Sequence, residues 1–66
     1  MSLTEHAQQL DSRSVTVSRL AGELAAAAES GADPQQLRDL HEQLAEQLEA
    51  LNGESSMMAL LIDEAR

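Results

Sequence analysis

From Leu3 onward, the apolar and small residues of the chain step by four and three: Ala7, Leu10, Ser14, Val17, Ala21, Leu24 and Ala28. That spacing puts them on one face of an α-helix in heptad register. The face is thin, because it holds alanines and a serine among its leucines. Ser2 and Glu5 have the spacing of a capping box, with Ser2 as N-cap and Glu5 reaching back to it. Within the same stretch "SRSVTVS" (12–18) has low helix propensity, so fraying or a bend is expected around Asp11 to Ser14. The stripe nevertheless carries across it.

A second stripe runs Leu37, His41, Leu44, Leu48, Leu51, Ser55, Met58, Ile62 and Ala65, with Leu40 and Leu61 widening it. Between the two lies "SGADPQQ". Gly31 can take the left-handed position that ends a helix. Asp33 can then cap the next helix, Pro34 suits its first position, and Gln36 completes a second capping box. A link of about four residues is what antiparallel neighbours use. The pattern predicts an all-α fold, an antiparallel helical hairpin with coiled-coil-like packing, as a single domain over 1–66. Helix 1 is expected over about 3–29, the turn over 30–33 and helix 2 over about 34–64. Val17, Leu20, Ala21 and Leu24 are expected to close the hairpin against Leu37, Leu44, Leu48 and Leu51.

Asn52-Gly53 would ordinarily stop a helix, yet the second stripe keeps its phase through the pair. A glycine inside a helix costs about 1 kcal/mol relative to alanine, which a long packed helix absorbs. A continuous helix with a soft point at 52–53 is therefore expected. Beyond it come six apolar residues in a row, Met57 to Ile62. On a helix such a run points all the way round, and a single facing helix covers only part of that circle. Asn52, Glu54, Ser55, Met57, Met58, Leu60, Leu61, Ile62 and Asp63 are accordingly expected to form or edge a surface for another chain.

Composition narrows the function. The chain has 66 residues, no cysteine and no aromatic residue. A disulfide framework and a cysteine-based zinc site are thereby excluded. A core built from Leu, Ile, Val, Met and Ala at this length supplies about 3–5 kcal/mol at most, so partners are expected. Twelve acidic residues against four arginines give a net charge of −8, which repels nucleic acid and anionic membranes. No apolar run approaches the roughly 20 residues of a membrane span. The first residues lack the basic and apolar segments of a Sec signal, so a cytoplasmic location is expected, with export by another route left open.

Candidate chemistry is sparse. His41-Glu42 starts like the zinc-protease motif H-E-x-x-H, but position 45 is alanine. His41 is expected at the hairpin interface or partly exposed, and His6 on the surface. Asp39, Glu42, Glu46 and Glu49 spread over the outside of a helix rather than pairing for acid–base work. No catalytic, metal or cofactor-binding residue is expected, and no cofactor. The chain is expected to act by protein–protein contact, not as an enzyme.

The second half, "ADPQQLRDLHEQLAEQLEALNGESSMMALLIDEA", resembles the needle-filament subunits of type III secretion systems. The likeness covers roughly residues 17 to 65 and is carried by Asp33, Pro34, Leu37, Leu44, Glu46, Asn52, Ser55 and Asp63, most specifically by "NGESS" (52–56). It implies a hairpin that stacks helically with copies of itself, leaves through the system's own channel, and is held before assembly by small helical chaperones. An acidic, lysine-free hairpin of this length is also similar to the small co-chaperones that keep needle subunits soluble. An unrelated dimeric hairpin adaptor or regulator is the third alternative. All three act as homo- or hetero-oligomers, with helix 2 as the contact surface.

Overall fold

A computed structural model describes residues 2–65. It is two helices, α1 (Leu3–Glu29) and α2 (Pro34–Glu64), packed against each other as a hairpin 50 Å long and 14 Å across. The fold is all-α.

Local chemistry sets the helix ends. The Ser2 side chain accepts a hydrogen bond from the Glu5 amide at 3.2 Å, and Asp33 accepts one from the Gln36 amide at 2.9 Å. Each caps an N-terminal amide that has no partner within its helix. At the other end of α1, Gly31 takes φ +77°. This lets the Ala32 amide reach back to the Ala27 carbonyl at 2.9 Å, and the Gly31 amide to Ala28 at 3.2 Å. That pair of bonds is the Schellman closure, which satisfies the last carbonyls and reverses the chain in very few residues.

α1 runs unbroken through "SRSVTVS". The Ser14 hydroxyl donates to the Asp11 carbonyl at 2.8 Å and the Thr16 hydroxyl to Ser12 at 3.1 Å, so these side chains bond to the helix they belong to. α2 likewise passes through Asn52-Gly53 without interruption.

The seam between the helices differs in phase from the simplest reading of the sequence. On α1 it comprises His6, Leu10, Arg13, Val17, Leu20, Leu24 and Ala27, all at least half-buried. On α2 it follows Leu37, Leu40, Leu44, Gln47, Leu51, Glu54, Met58 and Leu61. Val17, Leu20 and Leu24 thus lie in the seam with Leu37, Leu44 and Leu51. Ala21 and Leu48, expected in the hairpin core, are exposed one position away, where Leu20 and Gln47 take the seam instead. His41 is exposed outside the seam, and His6, expected on the surface, is half-buried in it. In heptad letters the sequence stripe used positions a and e, whereas the packing uses a and d. Leu20 is larger than Ala21 and Leu40 more apolar than His41, so position d outcompetes e there. Leu61 follows in the same register ahead of Ile62, and the long stems of Arg13 and Glu54 can lie along the seam.

Only Leu20, 4 % exposed, is buried among the described residues. Two helices without a third neighbour leave every other side chain in partial contact with water. Leu20→Ala should therefore lower stability by about 2 kcal/mol, and Val15→Ala, at an exposed site, by less than about 0.5. Urea titration followed by circular dichroism at fixed chain concentration measures both. The glycines separate in the same assay. Gly31→Ala is strained at positive φ and should destabilise, whereas Gly53→Ala, with open space around its added Cβ, should stabilise by about 1 kcal/mol.

A candidate docking surface at the open end

The seam changes character along its length. Near the turn it is apolar, built from Leu20, Leu24, Leu37, Leu40 and Leu44. Toward the free ends it holds His6, Arg13, Gln47 and Glu54. The Glu54 carboxylate lies 3.5 Å from Arg13 Nε and 3.9 Å from His6 Nδ1. His6 and Arg13 are one heptad apart, so their shared contact sets Glu54 opposite Leu10, and by the same register Leu20 opposite Leu44.

The His6 and Glu54 side chains are 16 % and 19 % exposed, enough burial to weaken solvation. Neither His6 Nδ1 nor Arg13 Nε completes a hydrogen bond. An ion contact of this kind contributes little to stability, but it fixes which residues face one another. A slip of the helices would strand these charges against leucines.

The apolar run Met57 to Ile62 divides around the circumference of α2. Met58 and Leu61 turn into the seam. Met57 (47 % exposed), Leu60 (59 %) and Ile62 (48 %) remain open to solvent. They do not share one side. Met57 joins Gln9, Ala50 and Gly53 in lining a cleft of about 350 Å³ on the flank that also exposes one edge of the His6–Arg13–Glu54 contact. Leu60 follows Met57 by three residues and continues that flank. Ile62, at heptad position e, lies on the opposite flank with Leu48 and Ser55.

The residues expected at a partner surface thus occupy four kinds of place. Met57 and Leu60 form an exposed apolar edge, Ile62 a second one on the far flank, and Asn52, Ser55 and Asp63 lie exposed beside them. Glu54, Met58 and Leu61 are engaged with α1. The Arg13–Glu54 contact was not foreseen from sequence, because the a/e stripe put both residues outside the seam. The available signal was their charge complementarity at antiparallel register.

Comparison with known protein families, with characterised proteins and with solved structures finds no match to this chain. Among the described residues, no helix is long and apolar enough to cross a membrane. No group of three or more metal-ligating side chains converges there either.

The central ion contact is testable by a double-mutant cycle. Arg13→Ala and Glu54→Ala should show a coupling of about 0.5–1 kcal/mol that shrinks as salt is added. Replacing both residues by leucine should instead stabilise the hairpin by about 1 kcal/mol, since the seam is otherwise apolar. Both effects can be read from denaturation midpoints.

Proposed function

We propose that the chain is a non-enzymatic assembly protein, a helical hairpin that acts by packing against other chains in the manner of a type III secretion needle subunit. The observation that carries this reading is the edge formed by Met57 and Leu60. Two large apolar side chains stay about half exposed on a protein whose described residues include one that is buried. Burying the exposed half of either would be worth about 1 kcal/mol, a substantial fraction of what so small a domain can supply for itself. Asn52 and Ser55, in the segment that carries the resemblance most specifically, lie exposed on the opposite flank of α2, and Asp63 lies exposed on its back. The polar half of the seam supports the same reading, because the open end is where the two helices hold each other least.

A net charge of −8 makes the distance between copies sensitive to salt. A needle-type subunit should accordingly form large assemblies at high chain concentration, and more of them when salt screens the carboxylates. Leu60→Glu should abolish that growth without loss of helix, since Leu60 is outside the seam. Sedimentation velocity at low and high salt, with detection at the peptide bond, makes the measurement. A small species of fixed size under every condition would overturn the subunit reading. It would leave the Met57–Leu60 edge as the docking surface of a co-chaperone for a needle subunit, the reading favoured by the acidic, lysine-free composition.

A further inference from the structure

The flank opposite Met57 and Leu60 has its own character. Heptad positions e and b of both helices project to this side, since in an antiparallel pair like positions flank the same side of the seam. On α1 the e positions are Ala7, Ser14, Ala21 and Ala28. On α2 they are His41, Leu48, Ser55 and Ile62. Every one of them is exposed. The b positions between them add further small residues, and the only fully charged side chains on the whole flank are Asp11 and Arg38. Nine of the chain's twelve acidic residues lie on the other flank or the back of the helices, with Asp33 in the turn and Glu54 in the seam. A shallow trough of about 440 Å³ opens near the turn on this side, between Leu24, Leu37 and the flanking Arg38, His41 and Glu42, so one further carboxylate reaches its rim from the back of α2.

A helix that is apolar at a and d alone needs one neighbour. One that is also apolar or small at e presents a wider stripe, the pattern of helices in a four-helix core. Both helices here have that wider stripe, on the same side. We propose that this flank is covered by the same flank of a second copy, two hairpins pairing into a four-helix bundle.

Charge selects that occupant. A basic partner would be drawn to the carboxylates of the other flank and the back. The flank poorest in carboxylates, with Asp11 and Arg38 on it and Glu42 at the rim of its trough, is the place where two chains of charge −8 can meet with most of their acids turned outward. Area agrees. A face of 50 Å by 14 Å is on the order of 700 Å² per copy, close to the roughly 800 Å² per partner of a stable interface. The hairpin also exposes 4726 Å², against roughly 4,100 Å² for a compact monomer of its mass. The excess is of the size that such pairing would hide.

This surface is separate from the Met57–Leu60 edge, so the inference does not rest on the secretion reading. The full chain carrying Leu60→Glu, which blocks growth through that edge, is the protein to measure. It should sediment at twice 7.1 kDa, dissociating only on dilution. Adding Leu48→Glu should raise the dimer dissociation constant by a hundredfold or more. Because the lone hairpin is weak, that variant can also lose helix, so a gain-of-affinity pair accompanies it. Ser55→Leu makes the e stripe continuous from Leu48 to Ile62 and should tighten the dimer on the order of tenfold. Ser56→Leu, with the same gain in helix propensity but pointing outward, should leave the constant unchanged. A helical species of 7.1 kDa at millimolar concentration, or equal effects of Ser55→Leu and Ser56→Leu, would overturn the proposal. Failure of large assemblies to form in the parent chain would leave it untouched.

Discussion

Two helices can bury only the strip along which they touch, and everything else about this chain follows from how little that strip holds. Leu20 is its one buried side chain among the described residues. The two helices are joined by a tight reversal, so their length becomes strip rather than depth. Adding residues to a hairpin lengthens the seam but never thickens the core.

The seam's two halves divide the work. The half near the turn is leucine against leucine and holds the helices together, beside a reversal fixed by Gly31 and Asp33. The open half sets Arg13 and His6 around Glu54, a contact that stabilises little but tolerates no slip. Affinity and register are thus supplied by different residues. That separation is common in coiled coils, where a single polar layer specifies alignment at a cost in stability. It also leaves the free ends as the weakest part of the fold, beside the residues with the most unsatisfied apolar surface.

The helix ends and the reversal were legible in the sequence because they depend on a few residues with strong local preferences. Ser2, Gly31, Asp33 and Pro34 act through their own backbone and side-chain chemistry, whatever packs nearby. The phase of the seam was only half legible. Position a was clear, since Leu10, Val17, Leu24, Leu37, Leu44 and Leu51 leave little choice. Position d was obscured by polar residues: Gln47, and His6, Arg13 and Glu54, which are acceptable there as cross-seam partners of one another. Hydropathy scores residues singly, so it preferred Ala21, Leu48 and Ile62 at position e. The apolar character of those residues is real, but the hairpin does not use it.

That unused character links the geometry of one hairpin to the assembly proposed for it. A stripe reading a, d and e is wider than one neighbouring helix covers and suits a four-helix core. The six-residue apolar run shows the same excess at one end of α2, where a single neighbour takes Met58 and Leu61 and leaves Met57, Leu60 and Ile62. Because those three fall on both flanks, one additional partner on either side cannot cover them all. Pairing through the charge-poor flank would shelter Leu48 and Ile62 and leave Met57 and Leu60 as a ridge on each outer side. A hairpin built this way has one surface suited to closing a symmetric pair and another free to engage whatever that pair meets.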